Sequence, residues 1–297
     1  MNKPGSNKNW ILAIRPKTLP AAAGPVLIGF GLAYREGLHH FPSVILAALV
    51  ALLIQAGTNM VNDYSDFKKG VDTESRVGPV RVTQAGLISP ERMKAGMLVV
   101  LILIIIFSIP LVLRGGVPIL IIGVLSVISG ILYTAGPFPL GYNGLGDIFV
   151  LIFFGPVATA GTYYVQTLEL SQNSVLAGLG PGLLSVAILS INNLRDYDDD
   201  RVSGKNTLVV LFGRIFGKAE YLFSVVIAML IPVIIFLAGE RMNYSIMVLL
   251  LLIMAIKPLK IIIKNGRGSV MNEMLGFTGR MLLAYSLIFS IGWQYPI

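Results

Sequence analysis

Apolar residues along this 297-residue chain fall into long unbroken runs rather than alternating with polar ones. A run of roughly 20 apolar residues spans a hydrocarbon core, and runs of about that length occur near 18–34, 44–64, 93–113, 117–135, 146–166, 174–195, 219–238, 243–263 and 276–294. The pattern predicts an all-α polytopic membrane protein, a bundle of nine transmembrane helices forming a single domain over residues 1–297. The opening run holds Pro20 and Pro25 and lacks a clean small-residue cleavage site, so it reads as a retained first helix rather than a signal peptide.

Composition agrees: 55% of residues are hydrophobic, 13% are charged, and mean hydropathy is +0.78. Short cytoplasmic loops retain Lys and Arg, and 19 of the 23 basic residues lie before helix 1 or around the 2–3, 6–7 and 8–9 connections. The other side holds Arg35, Arg114 and Arg241, with Arg280 near the start of helix 9. The expected topology therefore has a cytoplasmic N-terminus, cytoplasmic 2–3 and 6–7 loops and an external C-terminus, in the cell membrane. This asymmetry and attraction to anionic lipid account for the net charge of +8 without a nucleic-acid partner. The absence of cysteine excludes disulfides, thiolate metal sites and iron–sulfur clusters. The only histidines, His39 and His40, sit together on the external side, which argues against haem or histidine-based proton relays inside the bundle.

The acids are concentrated. Eight of fifteen lie at two cytoplasmic helix ends: Asp63, Asp66, Asp72 and Glu74 in one, Asp196, Asp198, Asp199 and Asp200 in the other. Acidic residues contribute little to topology, so orientation does not explain them. Asn62 and Asp66 are echoed 130 residues later by Asn192 and Asp196. Such a repeat marks paired half-bundles around a shared site, and a spacing of four stacks the side chains on one helix face. Asp200 extends the second line, whereas the first meets Gly70 and finds its next carboxylate at Asp72. Asp198 and Asp199 point off that face and read as solvated charges.

Aspartate and asparagine without histidine or cysteine suit hard cations, and Mg²⁺ typically combines one or two carboxylates with substrate phosphate oxygens. Asn62, Asp66, Asp72, Asn192, Asp196 and Asp200, with Asp63 as a further member, are the expected Mg²⁺–diphosphate ligands. Lys68, Arg76, Arg81, Arg201 and Lys205 are the expected diphosphate contacts, because Arg orients an oxyanion and Lys neutralises it. Lys69, Arg195, Arg15 and Lys17 lie near the same clusters. A cation-coupled transporter is the rival from another class; it calls for polar residues near the bilayer midplane, and here the carboxylates sit at helix ends.

With its stretches NDYSDFKKGVDTESRVGPVRVTQAGLISPE and NNLRDYDDDRVSGKNTLVVLFGR, the chain resembles the UbiA superfamily of intramembrane prenyltransferases over nearly its whole length. RPKTLPAAAGPVLIG, LYTAGPFPLGYNGLGD and FFGPVATAGTYYVQT make it most similar to the 1,4-dihydroxy-2-naphthoate branch. The displaced Asp72, and a 4–5 loop in which Tyr133 is followed by Pro137 with no basic residue, depart from the benzoate branch. The resemblance implies transfer of a polyprenyl group from an allylic polyprenyl diphosphate to dihydroxynaphthoate, with loss of diphosphate and CO2, on the path to menaquinone; a 4-hydroxybenzoate acceptor is the alternative. Asp66, Asp72, Asp196 and Asp200 are the expected catalytic carboxylates, with Asp72 or Asp196 taking the acceptor's phenolic proton.

Overall fold

The computed structural model describes residues 6–70, 78, 80–264, 266 and 268–297. Helix α1 (Asn7–Ile14) ends at Arg15, whose backbone is left-handed (φ 51°), and a 3-10 turn leads into α2 (Leu19–Arg35). Helices α3 (Phe41–Lys69) and α4 (Pro90–Leu132) follow. Next come α5 (Gly146–Ile152), a π-helical turn (Phe153–Val157) and α6 (Ala158–Thr167). Then α7 (Gln172–Arg195), α8 (Tyr197–Val202) and α9 (Leu208–Leu237) carry the chain to a 3-10 stretch (Tyr244–Leu251), α10 (Leu252–Ile263) and α11 (Ser269–Gly292). Among the described residues, eight helical segments are long and apolar enough to cross a membrane.

One of the eight contains two of the nine expected runs. A straight helix of 43 residues would be about 65 Å long at ~1.5 Å per residue, about twice a hydrocarbon core, and α4 has that many residues. Its backbone leaves helical geometry at Gly116 (φ 65°, ψ −153°), with Pro118 just beyond. Glycine takes this conformation without a Cβ clash, and proline needs no N–H partner in the first turn of a new helix. Met97–Leu101 and Val127–Ile131 line the same small cavity against Ile54–Val61 of α3, so the two arms double back on each other. At the bend, Arg114 donates from Nε to the Val165 carbonyl (2.6 Å) and from Nη2 to that of Gln166 (2.9 Å). These carbonyls lie in the last turn of α6, where the helix itself supplies no partners.

Other boundaries moved for local reasons. Helix α9 begins at Leu208, eleven residues before the expected 219, because the Thr207 hydroxyl caps it by accepting from the Val210 N–H (3.2 Å). A break at Gly213 (φ 87°) then separates this first turn from the apolar body. Arg214 and Lys218 had obscured that start in the hydropathy pattern.

The core gathers around α7, which is buried among α2, α9, α11 and the π-helical turn: Leu184, Ala187, Ile191, Tyr221, Met229, Met281, Leu282 and Phe289 are all fully enclosed. Close approach there depends on small residues. A Cβ on Gly178 would stand 2.7 Å from Pro156 Cα and 2.8 Å from Pro156 N. Both are backbone atoms that cannot swing aside. Gly178→Val is therefore expected to cost at least 1–3 kcal/mol, the usual range for overpacking, read as a lower melting temperature of the detergent-solubilised protein by fluorescence-detected size exclusion.

Candidate active site

The inner face of α3 carries Gln55, Asn59, Asn62 or Asp63, and Asp66, one turn apart. The lower pair positions the N-terminal segment. Gln55 Nε2 donates to Thr18 Oγ1 (3.0 Å), and Asn59 Nδ2 donates to Thr18 Oγ1 (3.0 Å) and to the Ile14 carbonyl (2.9 Å), so the Arg15–Thr18 turn is held against α3.

Asp63, expected among the metal ligands, is buried and accepts the backbone N–H groups of Val82 and Thr83 at 3.0 Å, one on each carboxylate oxygen. It thereby fixes the returning loop and delivers Arg81 to Asp66. Asp66 is only 2% exposed, and its Oδ2 receives Arg81 Nη2 at 2.6 Å and Lys205 Nζ at 3.2 Å. Its Oδ1 accepts the Tyr142 hydroxyl. Asn62 Oδ1 accepts the hydroxyl of Thr134. Lys68 and Lys69 are both exposed, but the Lys69 Nζ donates to the Thr134 carbonyl (2.7 Å) and lies 4.5 Å from the Tyr142 ring centre. The helix ends at Gly70 (φ 66°); Asp72 and Arg76 lie outside the described residues.

The second motif is built on the α7–α8 junction. The buried Arg195 side chain, 1% exposed, grips Asp196 with Nε on Oδ1 and Nη2 on Oδ2, both at 2.7 Å. It also donates from Nη2 to Asn192 Oδ1 (2.7 Å) and from Nη1 to Asn272 Oδ1 (2.6 Å) at the start of α11. Asp200 is buried; its N–H donates to the Asp196 carbonyl (2.8 Å) and its carbonyl accepts from the Lys205 N–H (2.9 Å). Arg201 is exposed, and exposed Asp198 pairs with Arg214 at 2.7 Å, away from the Asn192–Asp200 face.

The two motifs meet directly, since Lys205 crosses to Asp66 over 139 residues of sequence. A third segment closes the site. The connection between α4 and α5 contributes Tyr133, Thr134 and Tyr142, and Asp147 stands at the start of α5. The Tyr142 carbonyl accepts from the Asn206 N–H (2.9 Å), and Lys205 Nζ lies 4.7 Å from the Tyr142 ring centre. Tyr133 is a phenol held well above its ordinary pKa, first by burial and then by the negative charges of Asp147, Asp200 and Asp66. These residues, with Arg195 and Asn272, are the ones that spacing arguments did not assign. The polar, aromatic run LGYNGLGD between two apolar stretches is the signal that marks the loop.

Every donor around the two aspartate motifs is a hard oxygen, and the buried acids Asp66 and Asp196 are each compensated by Arg or Lys. Among the described residues, no three carboxylates or imidazoles converge on one point. Such a set fits Mg²⁺ in the form that completes its shell with phosphate oxygens rather than a cage made of protein alone.

Residues 22–278 match the UbiA prenyltransferase family. The chain belongs to that family. Its relatives there include 1,4-dihydroxy-2-naphthoate octaprenyltransferase of Escherichia coli (strain K12), 37% identical over 95% of this chain and 94% of that protein. The protein so named from Haemophilus influenzae is 40% identical over 75% of each chain. Among solved structures, a UbiA homolog from Archaeoglobus fulgidus bound to DMAPP and Mg²⁺ shares the UbiA fold with a TM-score of 0.66, covering 95% of this chain and 99% of that one at 18% identity.

Proposed function

We propose that this UbiA-family protein transfers a polyprenyl group from an allylic polyprenyl diphosphate to 1,4-dihydroxy-2-naphthoate, releasing diphosphate and CO2. The observation that carries the reading is Asp66, reached by Arg81 from its own loop and by Lys205 from the other motif. Such a node joins two acid–amide half-sites across one space, and naphthoate prenyltransferases similar over nearly the full chain support the acceptor. Asp66 and Asn62 on one side, and Asp196, Asn192 and Asp200 on the other, would hold Mg²⁺ together with the diphosphate, with Asp72 joining from its place in the sequence. Bound there, the metal supplies electrostatic stabilisation of the departing diphosphate.

Arg81, Lys205 and Lys69 would orient and neutralise the same oxyanion, Arg76 by its position in the loop. Apolar helix surfaces around the site would keep water from the allylic cation while the electron-rich ring attacks. Counting the doubled α4 as two passes would give nine membrane passes, with both motifs on the cytoplasmic side and the C-terminus external, as the distribution of basic residues supports. Neither a 4-hydroxybenzoate acceptor nor ion-coupled transport is favoured, since the relatives are named for naphthoate prenyl transfer.

The purified protein, given farnesyl diphosphate, Mg²⁺ and dihydroxynaphthoate, is expected to yield prenylated naphthoquinol by mass spectrometry. Failure to modify dihydroxynaphthoate, or preference for hydroxybenzoate, would overturn the reading. EDTA is expected to lower turnover at least 100-fold, the scale of losing one preorganised electrostatic contact or more, with recovery on adding excess Mg²⁺.

A further inference from the structure

Most acids near the candidate site are already engaged. Asp63 is occupied by two backbone N–H groups, Asp66 by two cations and a phenol, and Asp196 by a bidentate guanidinium. The oxygens of these three carboxylates are thus already taken up by donors of the protein itself. Asp147 differs. It is 6% exposed, forms no ion pair among the described residues, and its Oδ1 is buried without a hydrogen-bond partner.

Its surroundings connect in both directions. The Tyr133 hydroxyl packs against Gly146, where an added Cβ would stand 3.0 Å from the phenolic oxygen, so the hydroxyl lies beside the residue preceding Asp147. The residue that follows Tyr133, Thr134, donates its hydroxyl to Asn62 Oδ1, which places Tyr133 at the border between the aspartate motifs and Asp147. On the other side, the Ser190 hydroxyl of α7 donates to the Gly217 carbonyl (2.8 Å), one turn of α9 before Glu220. The Glu220 Oε2 is likewise buried without a partner. Asp147 and Glu220 thus each carry a buried carboxyl oxygen with an unfilled acceptor position, and a buried unsatisfied group calls for an explanation.

We propose that Tyr133, Asp147 and Glu220 form a relay that takes the hydroxyl proton of the aromatic acceptor, Tyr133 touching the acceptor and the two acids storing the proton. The inference rests on the prenyl transfer proposed above. In the step, the acceptor O–H bond breaks and its proton moves to the Tyr133 oxygen as the phenol's own proton passes to Asp147 Oδ1. The freed electron pair enters the ring, the ring carbon bonds the allylic carbon, and the C–O bond to diphosphate breaks with its pair leaving on diphosphate. The C–CO2 bond at the prenylated carbon then breaks, its electron pair restoring the aromatic ring and placing charge on the naphthol oxygen, and the stored proton returns to that oxygen through Tyr133 as CO2 leaves, so the relay ends as it began. The charges that act on Tyr133 are those of Asp147, Asp200 and Asp66, and that of Asp147 acts on Glu220.

The test uses full-length protein in nanodiscs with farnesyl diphosphate, Mg²⁺ and dihydroxynaphthoate, and separates prenyl transfer from acceptor-independent hydrolysis of the diphosphate. Asp147→Asn is expected to lower kcat for transfer about 100-fold or more, the scale of a lost proton acceptor. KM for both substrates and the hydrolysis rate should stay within about threefold. The deficit should narrow as pH rises from about 7 to 9, because ionisation of the acceptor hydroxyl in water replaces the relay. Asp147→Glu should recover part of kcat, and Glu220→Gln should show the same pH-dependent signature at smaller size. Should Asp147→Asn fold poorly, Tyr133→Phe is expected to reproduce the transfer-only loss. Full transfer in these variants, or equal loss of both half-reactions at every pH, overturns the relay while leaving prenyl transfer intact. A wild-type protein that hydrolyses the diphosphate but never prenylates dihydroxynaphthoate removes the parent reading and the relay with it.

Discussion

Asp66→Asn is expected to lower prenyl transfer by at least 100- to 1,000-fold, the range seen when one electrostatic contact to a developing charge is removed. The substitution is isosteric, so packing at this 2% exposed position changes little. What changes is charge. Arg81 and Lys205, with side chains 7% and 11% exposed, lose their shared anion. Removing one member of a buried pair costs about 3–5 kcal/mol, because the remaining charge stays desolvated. Asp66→Asn should therefore lower the melting temperature as well as the activity. The double variant Asp66→Asn/Arg81→Gln, which also removes one of the two cations that face Asp66, should regain part of the stability and none of the activity. If the double variant is no more stable than the single one, Arg81 and Asp66 do not depend on one another in this way.

Arg195→Ala is the second large effect. Its guanidinium satisfies both oxygens of Asp196 and the side-chain oxygens of Asn192 and Asn272, tying the end of α7 to the start of α11. Charge-assisted bidentate contacts are the strong class, and this one is 1–2% exposed on both sides. The expected cost in ligand-free protein is about 3–5 kcal/mol. Binding of Mg²⁺ and a non-hydrolysable prenyl diphosphate analogue should recover much of that loss, since the metal would compensate Asp196 in place of the arginine. Thermal unfolding with and without the ligands reads the difference directly. An equal deficit in both states would mean that Arg195 acts only as a strut between helices.

What could be read from the residues differed by kind. Membrane-length runs were legible because burial in lipid leaves a continuous apolar signature, and the Arg114-Gly115-Gly116-Val117-Pro118 bend was legible because it interrupts one such run. The Asn62/Asp66 and Asn192/Asp196 echo was legible because helical periodicity fixes which side chains share a face. Asp63 was not, since its partners are main-chain groups 19 and 20 residues away and carry no sequence mark. The choice between Lys68 and Lys69 turns on the phase of a helix in its last turn, where one residue rotates a side chain by about 100°. Tyr142 and Asp147 escaped spacing arguments because their loop reaches the site only through the fold.

The grip of Asp63 on the Val82 and Thr83 amides separates two jobs that a single loop would otherwise share. Arg81 is registered against Asp66 from its C-terminal side, independently of the segment that follows Gly70. A change in the length of the sequence between Gly70 and Arg81 therefore leaves that registration in place. Insertions and deletions there can relocate a third carboxylate, as from position 70 to Asp72, without disturbing the cation at Asp66. The anchor gives the site a tunable margin beside a fixed centre, and related proteins can diverge in that margin first.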